Sequence, residues 1–501
     1  MVLVLPVAFI LIRFFSVGHS DWGSLSSTLL PLYIGNTSYL LAGSIVVTLV
    51  LGVSTAWVVT LYDFPFRKQF EWMLILPLAI PTYISAIAYV GLTDYAGPIR
   101  ILLRSFDYDI YLDMMDRNGA IFVMSLVLYP YVYVASRAAF AMQSASLIEV
   151  SRSLGRSMRA TFTRVVLPLT WPAIFSGLIL VVMEVLNDYG VVQYYGIPTF
   201  TTGIFRSWLS LGNLPQAIFL SFLTLTVVLV LLIAQVLIQG QKNYTIEKED
   251  RKLTPLRSRY QWGCFILCLF PLFFGFVVPV FQLLWWAVKV TELESWVFSA
   301  KLVANTSLLG AMTAGLAVIL SIWFTYTFRI SQLPRSARAM LRLPMVGYAV
   351  PGAVIAIGIV SMIVWINPEW IYFGITALVF GYLVRFFAVG FGTIESGFDK
   401  IPYQLDLAAA SLGKRTFSRL FKVHLPLLKP VLIGAFIMVF VDVAKELPLT
   451  LILRPFNYET LATNAFQYAK DEMAPRSAPS SLLIIFVSAV PVYFLNKLLS
   501  R

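Results

Sequence analysis

Two pairs of carboxylates stand inside apolar stretches of this 501-residue chain. VMEVLNDYG (182–190) carries Glu184 and Asp188; FVDVAKELP (440–448) carries Asp442 and Glu446, with Lys445 beside them. Each pair is spaced by four, so on a helix its members share one face, one turn apart. Adding 258 to the first pair gives the second (184 + 258 = 442; 188 + 258 = 446). Ionisable groups within apolar spans are costly and mark functional positions. Their oxygens suit hard divalent or trivalent cations. They equally suit helix–helix hydrogen bonding, or a gate in which Lys445 neutralises one of them. The residues do not assign a metal. A pseudo-twofold axis would bring all four toward a pathway, on its outer side. Enzyme chemistry has no comparable set, because the chain offers His19 and His424 without a nucleophile constellation. Cys264 and Cys268 are one turn apart in an apolar stretch and fit neither a zinc spacing nor a disulfide framework. They read as packing residues.

The elements that position these groups are membrane helices. The chain is 59% hydrophobic and 12% charged, against about 25% charged in a soluble domain. Charge-free runs at 40–62, 72–93, 207–238, 262–288 and 302–328 each exceed the roughly 20 residues that cross a bilayer. Their continuous hydrophobicity predicts helices, since barrel strands would alternate. The pattern predicts about twelve transmembrane helices: 1–15, 40–62, 72–93, 119–141, 168–187, 216–238, 262–288, 303–328, 343–366, 370–391, 430–447 and 480–497. The net charge of +12 then reads as basic cytoplasmic loops rather than as a nucleic-acid surface. Lys and Arg concentrate in the loops after even-numbered spans, which predicts cytoplasmic termini, while DYDIYLDMMD (107–116) falls on the other side.

The chain repeats itself. SLGRSMRATFTRVVLPLTWP (153–172) answers to SLGKRTFSRLFKVHLPLLKP (411–430), with Leu-Pro-Leu starting 12 residues after the Gly in both. NTS recurs at 36–38 and 305–307, and LPLAIPTYISAIAYVGL (76–92) has its counterpart in LPMVGYAVPGAVIAIGIV (343–360). Arg137 and Arg385 are expected near the cytoplasmic ends of the fourth span of each half. The division is 1–238, a polar linker 239–261, and 262–501. Six spans per half give two parallel-oriented repeats related by an axis along the membrane normal. In each duplicated segment the Gly can take positive φ between two short helices, and Leu-Pro-Leu fits the start of the next span. After the second Gly, Phe417, Leu420, Phe421 and His424 are expected on one face and Arg415, Arg419 and Lys422 on another. After the first, Met158, Phe162 and Val165/Val166 form the apolar face, and Arg152, Arg156 and Arg159 the basic one. Such a segment can lie on anionic lipid. Its duplication at fixed spacing favours two equivalent sockets for two equivalent cytosolic partners.

Glu149-Val150-Ser151-Arg152-Ser153-Leu154-Gly155, followed by Leu167-Pro168, resembles the EAA loop of permeases of binding-protein-dependent ABC importers. Leu407 through Gly413, followed by Leu425-Pro426, resembles it too. The second copy departs at the acidic position, where Leu407 stands with Asp406 one place earlier; in the first, Val150-Ser151 replaces the usual alanines. The resemblance implies an all-α type I importer permease. It implies coupling loops at Glu149, Ser153, Leu154, Gly155 and Arg156 and at Ser411, Leu412, Gly413 and Lys414, docked on two cytosolic ATP-binding subunits. It also implies an extracytoplasmic substrate-binding protein and a bacterial inner-membrane location. No cofactor is expected in this chain. A phosphate-binding loop needs G-x-x-x-x-G-K-[ST], and Gly413-Lys414-Arg415 lacks both the hydroxyl residue and the earlier Gly. ATP and Mg would be bound by the partner ATPase. The segments 188–213 and 445–469, chiefly Leu453-Arg454-Pro455-Phe456-Asn457 and Thr460-Leu461-Ala462-Thr463, resemble the ferric iron branch, whose halves are likewise fused. Fused permeases for thiamine or an aminophosphonate are the alternative within the fold. An ATP-independent secondary carrier is the alternative outside it. Arg206 and Arg454 suit an attracted anion or an anchor for the docked binding protein.

Overall fold

A computed structural model describes residues 2–16, 25–108, 113–142, 151, 153–240, 256–257, 260–290, 294–330, 343–366 and 374–499. Eight helices among the described residues are long and apolar enough to cross a membrane, nine if the bent pair at residues 67–105 is one span, fewer than the twelve expected; helices nonetheless lie at all twelve expected positions. They are α1 (Leu5–Ser16), α2 (Leu30–Leu61), α3 (Thr82–Thr93), α4 (Arg117–Met142), α5 (Leu167–Asn187), α6 (Leu214–Gly240), α7 (Gln261–Lys289), α8 (Glu294–Ile330), α9 (Gly352–Ile366), α10 (Gly374–Asp399), α11 (Leu425–Lys445) and α12 (Ala478–Leu499). With no water in the bilayer, each span must satisfy its own backbone, which helices do. The β-structure among the described residues is a two-residue parallel bridge, Tyr62–Asp63 with Leu256–Arg257.

Two spans are not straight rods. Residues 67–79 and 82–105 meet at 89°. The break falls at Pro81, which lacks an N–H and takes an extended ψ of 141° before α3. The second half repeats this, with a 3₁₀ segment Leu343–Ala349 ending before Pro351 and α9. At 15 residues, α9 spans about 22 Å at 1.5 Å per residue, short of the roughly 30 Å hydrocarbon core.

Leu-Pro-Leu opens α5 and α11, as expected, but no break precedes it. The helix runs unbroken over Met158–Asn187 and Thr416–Lys445. Pro168 and Pro426 have no N–H to offer the carbonyl four residues back. The ladder shifts instead: Leu167 N–H bonds Phe162 O, and Leu425 N–H bonds Leu420 O, each five residues away. These π turns also rotate the surface, so the expected apolar face splits. Leu420 and His424 turn inward, while Phe417 and Phe421 remain exposed.

Contacts divide the chain into two compact units. One comprises Trp22–Gly203, Leu223–Thr291 and Ala465–Arg501. Its centre is α2, α4 and α5, packed on one another. Against these lie α3, α7 and α12. Gly275 of α7 admits the close approach: a Cβ there would sit 2.7 Å from Leu126 O. The other unit comprises Met1–Asp21, Ile204–Phe222 and Glu292–Asn464. Its centre is α8, α10 and α11, with α9 on α10 and α1 on α9. Gly358 of α9 faces the Pro6 carbonyl of α1, leaving no room for a side chain, and Phe14 stacks on Phe222 at 3.7 Å. Each unit therefore contains the first helix of the other sequence repeat.

Candidate functional site

The second repeated loop begins as a helix, Gln404–Ser411. It ends on Gly413, whose φ of +71° is the left-handed conformation that a side chain disfavours. Lys414 N–H donates to Ala409 O (3.0 Å) and Gly413 N–H to Ala410 O (2.9 Å), the paired bonds of a Schellman turn. The chain re-enters a helix at Thr416. The turn presents Leu412, 79% exposed, between Ser411 and the exposed Gly413 and Lys414. The first loop has the same turn. Gly155 takes φ +75°, Arg156 N–H donates to Ser151 O (3.2 Å), and Leu154 is 75% exposed between exposed Ser153 and Gly155-Arg156. Ser157 Oγ accepts from Ala160 N–H (3.3 Å) and caps the following helix. Each loop thus offers an apolar knob on a fixed turn, flanked by basic residues. Glu149 lies outside the described residues.

The loops are anchored differently. Behind the second, Asp406 is buried and accepts from Arg329 Nε (2.7 Å) and from His424 Nε2 (2.7 Å). Arg329 also donates to Phe398 O (2.8 Å) and Ile401 O (2.9 Å). Charge-assisted bonds of this kind are the strong ones. The knot rests on an apolar cluster of Tyr326, Ile394, Phe398, Leu420, Leu428 and Ala435. Behind the first loop, Ser151 and Thr161 share a buried hydroxyl–hydroxyl bond of 2.8 Å. Val166 is buried where the 258 offset places His424. Sequence reasoning saw Asp406 only as a displaced acid and His424 as part of an apolar face; it missed Arg329. The signal was the histidine, an ionisable residue in an apolar face at a position where the sister segment has Val166.

The carboxylates sit at helix ends. Asp188 caps α5 and accepts from Val191 N–H (2.8 Å), so it starts the short helix Gly190–Tyr194. Thr82, the first residue of α3 after the Pro81 break, donates to its other oxygen. Glu446 caps α11 and accepts from Leu449 N–H (3.0 Å), starting Pro448–Leu453. Its other oxygen pairs with Arg385 Nε at 3.6 Å, both side chains 5% exposed. Pro351-Gly352 corresponds to Pro81-Thr82. A side chain at Gly352 would come within 2.5 Å of Glu446 Oε1 and 2.6 Å of Arg385 Nη1. The guanidinium thus occupies the room that Thr82 fills in the other repeat. Asp188 ties the end of α5 to the break before α3, whereas Glu446 ties the end of α11 to the middle of α10 through Arg385 and lies beside the break at Gly352. Arg385 lies in the middle of α10, not near its end; Arg137 lies near the end of α4 and pairs with Glu71 (2.9 Å). The two arginines are not equivalents. Asp442 pairs with Lys445 (3.5 Å), and Glu184 is half-buried one turn before Asp188. No group of three His, Cys, Asp or Glu side chains among the described residues is placed to hold a metal ion.

The repeat extends past the carboxylates. Asn36 donates to Pro198 O and Asn305 to Glu459 O, both at 2.9 Å. Thr199 N–H bonds Thr202 Oγ1 (2.7 Å) as Thr460 N–H bonds Thr463 Oγ1 (3.0 Å). The NTS segments therefore hold the turns 198–202 and 459–463 in the same way.

Comparison with known proteins agrees with this architecture. The family described as binding-protein-dependent transport system inner membrane component matches twice, over residues 48–243 and 317–501. The chain is 26% identical over 508 aligned residues to the Fe(3+)-transport system permease protein FbpB 2 of Haemophilus influenzae, covering 99% of this chain and 96% of that one. It is 29% identical over 143 residues to a probable sulfate transport system permease protein of Chlorella vulgaris, covering 28% of this chain and 53% of that one. A similar protein of Nephroselmis olivacea is 26% identical over 193 residues, 38% and 66% of the two chains. The chain belongs to the family of inner-membrane permease components of binding-protein-dependent ABC importers, carrying its domain twice in one multi-pass chain.

Proposed function

We propose that this permease imports ferric iron, that each Gly-turn loop docks in one cytosolic ATPase subunit, and that an extracytoplasmic protein delivers the substrate. The termini and both loops then face the cytoplasm. The observation that carries the docking is the matched pair of Schellman turns, each placing an exposed leucine beside basic residues. Apolar knobs on rigid turns fit grooves on a partner. Hydrolysis belongs to the partner, which binds ATP and Mg; this chain acts as the lever. Closure of the ATPase dimer moves the loops, and the two halves rock to open outward. Asp188 and Glu446, each next to a span break, act as the gate hinges, with Glu184 near the first and the Asp442–Lys445 pair near the second.

The iron reading rests on the relative that is similar over nearly the whole of both chains and is named for Fe(3+) transport. The relatives named for sulfate match a third of the chain or so and make an oxyanion the second candidate. Purified permease with its ATPase and binding protein, reconstituted in liposomes, is assayed with labelled ferric iron, sulfate and thiamine in parallel. Ferric iron uptake should exceed the others by about tenfold or more, equivalent to about 1.4 kcal/mol of discrimination. Equal or greater sulfate uptake would replace iron with an oxyanion. Uptake that persists without ATP would point to a secondary carrier.

A further inference from the structure

We propose that the Arg329–Asp406–His424 knot is the positioning device that turns the second loop into a stiff lever. This rests on the docking reading above. The helix Gln404–Ser411 buries only Asp406 and Ala409. Leu405, Leu407 and Leu412 are exposed. Motion imposed on the docked helix therefore reaches the spans through the side chain of Asp406, the methyl group of Ala409, the short backbone link 400–403 from α10, and the backbone of the glycine turn. That turn is held by its own two backbone hydrogen bonds and has open space beside Gly413. Asp406 is the stiff part. One oxygen holds Arg329 at the end of α8, which in turn grips the carbonyls of Phe398 and Ile401 at the end of α10. The other holds His424, in the turn that leads into α11. A single carboxylate thus joins the loop to three spans.

The histidine is fully enclosed, at 0% exposure. Its ring lies 5.5 Å from both the Tyr326 and the Phe398 ring centres. Nδ1 is buried with no hydrogen-bond partner among the described residues, so Nε2 carries the proton that it donates to Asp406. Tyr326 Oη also donates to Thr416 O (2.6 Å), tying α8 to the restart of the helix after the glycine turn. In the other repeat Val166 stands where the histidine would be, and the Ser151–Thr161 hydroxyl bond is the contact seen among the described residues of that loop.

The test uses the whole complex in liposomes and measures uptake, ATP hydrolysis and co-purification of the ATPase in parallel. The uptake probe is labelled ferric iron or sulfate, whichever the unsubstituted complex carries. His424→Val copies the other repeat, and Asp406→Asn removes the charge at constant shape. Both should keep the ATPase bound and hydrolysis within about twofold, while uptake per ATP falls about tenfold. A purely structural knot would lower hydrolysis and uptake together, through loss of folded complex. Either that result or unchanged uptake per ATP in both variants overturns the proposal. Leu412→Asp separates it from the docking reading. If Leu412→Asp releases the ATPase while the knot variants stay fully coupled, docking stands and the knot falls. If Leu412→Asp leaves the ATPase bound and coupled, docking itself fails.

Discussion

Gly413→Pro lowers uptake about a hundredfold while the protein remains in the membrane at its normal level. Proline fixes φ near −65°, whereas this position requires +71°. Proline also removes the N–H that Gly413 donates to Ala410 O. The turn cannot form, and a loss of about 3 kcal/mol in the docking-competent conformation corresponds to roughly a hundredfold. Gly155→Pro behaves likewise, because Gly155 has φ +75°. Gly413→Ala is graded: its Cβ meets nothing within 4 Å, so only the left-handed backbone resists it, at about 1–2 kcal/mol. Gly392→Ala in α10 is the control, since it too has open space but no positive φ; it leaves uptake unchanged. Uptake assays on membranes with matched protein levels check the series. Full uptake in both proline variants removes the docking role.

Glu446→Gln has the largest expected effect on stability. The amide still accepts from Leu449 N–H, so the cap survives. Arg385, 5% exposed, is then left opposite a neutral group. Breaking a buried pair from one side costs about 3–5 kcal/mol, and the apparent unfolding temperature in detergent should fall by on the order of 10 °C. Adding Arg385→Leu removes the charge that residue 446 no longer balances, and the double variant should recover part of the loss. Asp188→Asn should cost less, because its partner Thr82 is a neutral hydroxyl, with about 1–3 kcal/mol at stake. Equal losses in Glu446→Gln and Asp188→Asn, with no recovery in the double variant, would show that the buried charge pair is not what distinguishes the two repeats.

Much of this architecture is legible in the residues. The bilayer allows few solutions, so long apolar runs declare helices, and the 258-residue register carries from the glycine turns to Asp188 and Glu446. What escaped is long-range or anomalous. Arg329 and Asp406 are separated by 77 residues, and periodicity says nothing about such a pair. The exchanged positions of α1 and α7 leave no mark either, because a lipid-facing helix and one packed on a neighbouring repeat are equally apolar. The π turns were missed because a proline after leucine is the usual sign of a helix start. Pro168 and Pro426 open their spans without a preceding break and displace the ladder. That displacement split the expected apolar face, taking Leu420 and His424 into the core and leaving Phe417 and Phe421 exposed. Arg385 was paired with Arg137 on spacing alone, although only Arg385 lies beside a buried carboxylate.

The central claim is that Leu154 and Leu412 both lie at the cytoplasmic surface and seat in the ATPase subunits. Single cysteines at these two positions, in a chain cleared of Cys264 and Cys268, are treated with a membrane-impermeant maleimide in inside-out and right-side-out vesicles. Labelling of both sites only in inside-out vesicles, blocked in each case when the ATPase is bound, is the predicted result. Labelling of the two sites from opposite sides, or labelling that bound ATPase leaves unchanged, would contradict it.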